Sequence, residues 1–282
     1  MEIVRTVADL RKQIARWRKD DERVGLVPTM GALHQGHMAL VQAARAECDR
    51  VVASIFVNPK QFAPTEDLGS YPRREASDLE MLRSGGVDIA FIPAADEMYP
   101  PDFATLVQVT GLTDGLCGAH RAGHFDGVTT VVTKLLIQAL PDIAYFGEKD
   151  FQQLMVVRCL ARDLDIPVRI AGVPTVREAD GLALSSRNVY LSAEERRLAP
   201  NFARVLRNIA AALAQDPTAV AREIAHGSAA LQQAGFAVEY LEVREAKTLA
   251  VTTEATTSSR VFAAVRLGKT RLIDNMSVVP AA

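Results

Sequence analysis

The segment Pro28-Thr29-Met30-Gly31-Ala32-Leu33-His34-Gln35-Gly36-His37 holds the most distinctive reactive groups in the chain. Two imidazoles stand three residues apart. Gly31 and Gly36 let the backbone approach a ligand closely. A helix beginning near Gly36 would aim unpaired N–H groups and its positive dipole end at whatever sits there, which favours phosphate. A first helical turn puts His34 and His37 on one face. From there they can donate hydrogen bonds to phosphate oxygens and stabilise the charge that builds when an α-phosphate is attacked. A polar surface turn is the plainer alternative. Metal binding is another, though no third ligand is evident nearby.

Four further segments carry related chemistry. Leu184-Ser185-Ser186-Arg187-Asn188 offers two hydroxyls and a guanidinium able to grip a triphosphate, or is a solvated turn. Phe146-Gly147-Glu148-Lys149-Asp150-Phe151-Gln152-Gln153 offers Lys149 to phosphate, with Gln153 one helical turn further on. Its plainer reading is a helix capped by Asp150. Asn58-Pro59-Lys60-Gln61-Phe62 carries amides suited to hydroxyls or a carboxylate. His120-Arg121-Ala122-Gly123-His124-Phe125 reads as a loop with an anion-binding arginine.

The surrounding pattern says what must position these groups. Strand-sized apolar runs fall at 24–27 (stopped by Pro28), 51–57, 87–92, 143–146 and 168–173. Helices are expected at 6–19 behind a Thr6/Asp9 cap, after Gly36, around 79–82, and at 127–140 and 150–164. This alternation predicts a parallel sheet covered by helices, an α/β Rossmann-like doubly wound fold. Three of the five segments then follow buried strands, so one sheet edge would gather them. After Ser192 the rhythm changes. A capping box opens a helix to about 214, another helix follows Pro217, and strands are expected at 238–243, 261–265 and 271–273. That predicts a smaller C-terminal α+β domain. The division is set at 1–175 and 176–282, with residues 177–191 as a hinge. The serine- and threonine-rich stretch 252–259 reads as a surface loop.

Composition narrows the function. The 282 residues are 49% hydrophobic, which excludes a disordered chain. Thirty-two basic against 34 acidic side chains give a net charge of -2, which argues against a nucleic-acid partner. No apolar stretch approaches the roughly 18 residues of a membrane span. Residues 1–19 are charged throughout, unlike a signal peptide. Cys48, Cys117 and Cys159 show no metal or disulfide spacing, as suits a cytoplasmic protein with reduced thiols.

Over nearly its whole length the chain resembles the pantothenate synthetase (pantoate–β-alanine ligase, AMP-forming) family. The matching stretches are 27–41, 52–62, 123–128, 146–153 and 172–191, with Arg271-Leu272-Ile273-Asp274-Asn275 near the end. The His-x-Gly-His element alone indicates the wider nucleotidyltransferase superfamily, so another such transferase with a different acceptor is the alternative. A catalytically silent nucleotide sensor is a third reading, and the set His34, His37, Lys149 and Arg187 argues against it.

The resemblance implies that pantoate attacks the α-phosphate of ATP to give pantoyl adenylate and pyrophosphate. The amine of β-alanine then displaces AMP, with Mg²⁺ accompanying the ATP. It implies catalytic roles for His34, His37, Lys149 and Arg187. ATP contacts fall on Met30, Gly31, Ala32, Leu33, His34, Gln35, Gly36 and His37, on Gly147, Glu148, Lys149 and Asp150, on Val176, and on Leu184, Ser185, Ser186 and Arg187. Gln61, Gln153, Asn58 and Arg121 match residues for pantoate or β-alanine. No resident metal site is implied. A homodimer is, and the C-terminal domain would act as a lid. The sequence departs from the family at Cys117, where a glutamate is usual, at Ala122, usually proline, and at Lys60, often methionine.

Overall fold

Aliphatic and β-branched runs, buried on both faces, build the inner strands of the first part of the chain. The protein is described by a computed structural model covering residues 1–64 and 66–278. In chain order it forms β1 (Glu2–Val4), α1 (Val7–Lys19), β2 (Val24–Thr29), α2 (Gln35–Glu47), β3 (Arg50–Ile55), α3 (Glu75–Ser84), β4 (Ile89–Phe91), α4 (Ala95–Met98), α5 (Cys117–His120), α6 (His124–Ala139), β5 (Ile143–Gly147), α7 (Phe151–Asp163) and β6 (Arg169–Val173). Then come α8 (Ala193–Leu198), α9 (Pro200–Gln215), α10 (Val220–Gln233), β7 (Ala237–Glu245), β8 (Ser259–Leu267) and β9 (Thr270–Ser277). Among the described residues no helix is long and apolar enough to cross a membrane.

Two compact units result. The first comprises Met1–Thr113, Arg121–Glu148 and Gln153–Pro174; the second comprises Asp114–His120, Lys149–Gln152 and the chain from Thr175 onward. The first unit carries a six-stranded sheet in the order β1-β4-β3-β2-β5-β6, with parallel neighbours throughout. Winding proceeds from β2 through β3 and β4 on one side, then from β5 to β6 on the other. The boundary between β2 and β5 is therefore the switch point, where such sheets bind ligands beyond the strand carboxyl ends. Met38, Val41 and Ala44 of α2 share a buried cluster with Val27, Val51, Ile143 and Tyr145, which fixes α2 against the sheet at this point.

In the second unit β7, β8 and β9 form an antiparallel sheet. Phe202, Leu206, Ile209 and Leu213 recur at helical spacing along α9 and join Leu241, Val261, Ala263 and Val265 in one core. The expected doubly wound sheet and smaller α+β domain are both present.

Four local expectations are corrected. The strand expected to stop at Pro28 runs on to Thr29, because β2 pairs with β5 only through Leu26 while its pairing with β3 continues to Thr29. Pro28 has no N–H to give and sits where one edge of the strand is already open. The helix expected from Ser192 to about residue 214 is two helices. The capping box is real, with Glu195 N donating to Ser192 Oγ at 3.2 Å and Ser192 N to Glu195 Oε2 at 2.7 Å. Pro200, however, supplies no helical N–H and interrupts the ladder. The expected loop 120–125 is the end of α5, a left-handed Gly123 and the start of α6. Finally, α7 begins at Phe151 after a 3₁₀ turn at Glu148–Asp150, so Lys149 and Gln153 do not share one α-helical face.

Candidate active site

At the end of β2 the Thr29 hydroxyl donates to Ser54 O at 2.6 Å and accepts from Gly31 N at 3.2 Å. Gly31 and Ala32 then take left-handed conformations, with φ of 80° and 50°. That reversal is costly for alanine and is held by Asp78 of α3, which is only 2% exposed. One Asp78 oxygen accepts Ala32 N at 2.9 Å and the other accepts Leu33 N at 2.8 Å. A Cβ at position 31 would lie 3.0 Å from Asp78 Oδ2 and 3.1 Å from Ile55 Cγ2, so glycine is required there for space as well as for φ.

His34 is the N-cap of α2, and Gln35, not Gly36, is its first residue. The cap is built from imidazoles. His34 Nδ1 accepts Gly36 N at 3.1 Å, and His37 Nδ1 accepts His34 N at 3.3 Å. The rings stand 4.1 Å apart, tilted by 39°. Because backbone donors fill both Nδ1 atoms, the neutral rings are assigned the Nε2–H tautomer. The arrangement therefore presents two imidazole donors and a helix N-terminus together, which is chemistry for an anion.

Asn58 and Gln61 bracket a single 3₁₀ turn, Pro59–Gln61, after β3. Gln61 Nε2 donates to Met30 Sδ at 3.2 Å, tying this turn to the histidine loop. Asn58 is 1% exposed. Its amide donates to Gln61 Oε1 at 3.1 Å and Gly127 O at 3.0 Å, while its oxygen accepts from Tyr99 Oη at 2.9 Å and Lys60 N at 3.2 Å. These four bonds hold the Asn58 amide in place, and the one to Gln61 orients that side chain. Burial pushes the Tyr99 phenol up, which keeps it protonated as the donor to Asn58.

Arg121 is likewise engaged internally. Its guanidinium makes two bonds to Glu66, at 2.6 and 2.7 Å, and donates to His124 Nε2 at 2.9 Å. Arginine can only donate, so His124 accepts at Nε2 and its Nδ1–H donates to Gln61 O at 2.9 Å. Burial disfavours ionised Glu66, but the Arg121 hydrogen bonds and charge outweigh it and hold the carboxyl below its usual range. In this structure Arg121 pairs with the Glu66 carboxylate, and Arg121 Nη2 also donates to Gln61 O at 3.4 Å. Lys60 turns its ammonium over the rings of Tyr99 and Phe103, 5.1 and 5.4 Å from their centres.

The other expected residues fall as follows. Gly147 ends β5, Glu148–Asp150 form the 3₁₀ turn, and Gln153 lies half-buried on α7. Within the second unit Lys149 Nζ is 3.7 Å from Asp150 Oδ1. The segment expected as a hinge is braced within itself: Leu184 N donates to Val176 O at 3.0 Å, and Arg177 and Ala183 bridge antiparallel. Ser185 Oγ caps the following 3₁₀ turn by accepting Arg187 N at 3.2 Å. Asn188 Nδ2 donates to Glu178 Oε1 at 3.1 Å, and Arg196 pairs with both Glu178 and Asp180, at 2.5 and 2.7 Å. Cys117, the departure from the family's glutamate, lies 3.2 Å from Tyr240 Oη and 3.6 Å from Arg271 Nη2.

Sequence reasoning missed Asp78, Tyr99, Glu66 and His124. The partners of Asp78, Tyr99 and Glu66 lie 41 to 55 residues away, so no local spacing signals them.

A family model described as pantoate-beta-alanine ligase matches residues 2–277. A pantothenate synthetase of Paramagnetospirillum magneticum is 56% identical over 279 residues, covering 99% of this chain and 98% of its own length. One from Dinoroseobacter shibae is 55% identical over 281 residues, covering 98% and 99%. The crystal structure of pantothenate synthetase from Thermus thermophilus superposes with a TM-score of 0.94 at 50% identity, covering 99% of this chain and all 100% of that one. That of Francisella tularensis pantoate-beta-alanine ligase, complexed with beta-gamma ATP and beta-alanine, gives a TM-score of 0.81 at 34% identity, covering 99% and 98%.

Proposed function

The chain belongs to the pantoate–β-alanine ligase family, and from that premise we propose how its residues carry the reaction. The activity is ATP-dependent ligation of pantoate to β-alanine. A carboxylate oxygen of pantoate attacks the α-phosphorus, the bond to the bridging oxygen breaks, and pyrophosphate leaves. The amine of β-alanine then attacks the acyl carbon of the adenylate, a proton leaves the nitrogen, and AMP departs.

The observation that carries this reading is the paired imidazole cap of α2. His34 and His37 donate from Nε2 to phosphate oxygens, and the α2 N-terminus adds its dipole. Donors held in place by their own backbone bonds need no reorganisation as charge grows, and each is worth about 3–4 kcal/mol in comparable sites. Neutral rings suit hydrogen-bond donation, and pyrophosphate departure demands no proton transfer from His37.

Lys149, Ser185, Ser186 and Arg187 bind the departing phosphates. Met30 to Gly36, Gly147, Glu148, Asp150, Val176 and Leu184 complete the ATP contacts, with Val176 against adenine. Gln61 and Gln153 hold pantoate, and Asn58 and Arg121 stand at the same substrate site, where both also brace Gln61. The segment from residue 176 onward acts as the lid. Mg²⁺ bound with the triphosphate would neutralise part of its charge, beside the positive charge that Lys149 and Arg187 bring. A homodimer in the cytoplasm completes the proposal.

Incubation with ATP, Mg²⁺, pantoate and β-alanine is expected to yield AMP and pantothenate in equal amounts. Absence of both, where an active ligase produces them, would refute it.

A further inference from the structure

The motif Arg271-Leu272-Ile273-Asp274-Asn275 has no part in the scheme above, yet Asp274 and Asn275 are 3% and 4% exposed in the second unit. Adjacent strand residues point to opposite faces of the sheet. On one face of β9, Asp274 accepts Arg177 Nη1 at 2.6 Å and Nη2 at 2.9 Å, a two-point clamp on the base of the arm that ends in Ser185-Ser186-Arg187. Arg177 Nη1 also donates to Gly181 O at 3.1 Å, across the turn of that arm.

On the other face Asn275 Nδ2 donates to Lys149 O at 3.0 Å, and its Oδ1 accepts Arg260 Nε at 2.5 Å. Asn275 pairs across the ladder with Phe262 of β8, and Phe151 packs there, 5.9 Å from the Phe262 ring centre and 4.1 Å from Arg260 Cζ. The Lys149–Gln152 segment is also tied at its far end, where Gln152 Nε2 donates to Gly115 O at 2.9 Å and Gln152 Oε1 accepts Cys117 N at 3.0 Å. An amide can donate to Lys149 O and accept from Arg260 in one place, which a carboxylate cannot.

We infer that Asp274 and Asn275 are positioning residues that set the Lys149 turn and the Ser185–Arg187 arm at a fixed spacing on opposite faces of one strand. The inference rests on the proposed phosphate roles of Lys149 and Arg187. It makes the C-terminal sheet a gauge for the triphosphate rather than only a core.

Asn275→Asp keeps the side-chain shape and the acceptor for Arg260 but loses the donor to Lys149 O. Kinetics of the full-length enzyme are expected to show KM for ATP raised roughly three- to tenfold, the loss of about one hydrogen bond. KM for β-alanine should stay within about twofold, since a fault in phosphate positioning has no direct path to that step. Asn275→Ala should do the same, so misfolding of either variant, read from its melting curve, leaves the other to decide. A double-mutant cycle with Lys149→Ala separates causes. If Lys149→Ala raises KM for ATP and Asn275→Asp adds less than about twofold in that background, the positioning role stands. If the two effects multiply in full, or KM for ATP is unchanged in folded Asn275 variants, it is overturned. If Lys149→Ala leaves ATP kinetics untouched, the phosphate role itself fails and the inference falls with it.

Discussion

The Asp78 carboxylate holds the Gly31–Leu33 reversal, and its removal tests whether that turn governs catalysis. Two backbone N–H groups donate to it, at 2.9 and 2.8 Å. Hydrogen bonds to a charged acceptor contribute about 1.5–3 kcal/mol each. Asp78→Asn keeps the shape and one acceptor oxygen but turns an NH2 group toward the other N–H, so about one bond is lost. Some 2 kcal/mol of that loss falls on the turn that leads directly into the His34 cap. If the turn relaxes, the imidazoles leave their donor positions, and 2 kcal/mol corresponds to roughly thirtyfold in rate. Asp78→Ala removes both bonds and is expected to lose about 3–5 kcal/mol. The assay is pantoate-dependent ATP–pyrophosphate exchange, read beside the melting temperature. Exchange by Asp78→Asn within about twofold of wild type would refute the reasoning, because it would show that the histidine cap holds its geometry without the anchor.

Gly127→Ala should weaken pantoate binding and destabilise the fold by about 2–3 kcal/mol, because its Cβ would lie 2.2 Å from Lys60 O and 2.6 Å from Gln61 N; KM for pantoate and denaturant melts check it. His37→Asn keeps an acceptor for His34 N but has no donor at the Nε2 position, so exchange should fall about 10²–10³-fold with little change in melting temperature. Glu66→Gln should destabilise the enzyme at neutral pH by about 2 kcal/mol. The Glu66 carboxyl is depressed below its unfolded value of 4.5, so its contribution is complete above that value and is lost as pH falls through the lower folded-state value. The stability gap between wild type and Glu66→Gln should therefore close on acidification, and a gap independent of pH would contradict the ion pair.

The sheet was legible because burial on both faces leaves apolar runs such as residues 51–57, interrupted only by Ser54. β1 escaped notice because three residues with one buried side chain, Val4, carry no period. The break at Pro200 was written in the sequence and overridden by the helical pattern on both sides of it. In the site, His34, His37 and Gln61 were legible from local spacing, since a cap and a turn are local objects. The tautomers were not, because they depend on which backbone N–H reaches each ring. Asn58 and Arg121 were found as residues, but their partners Tyr99, Gly127 and Glu66 were not, since only the fold brings those groups to them.

The proposed chemistry is a mixed-anhydride route through pantoyl adenylate, begun at the imidazole cap of α2. Exchange of labelled pyrophosphate into ATP, measured with pantoate present and β-alanine withheld, tests it most directly. Exchange is expected to require pantoate and to need no β-alanine, with AMP and pantothenate accumulating together once the amine is added. Exchange without pantoate, or conversion of ATP to ADP and phosphate, would contradict it.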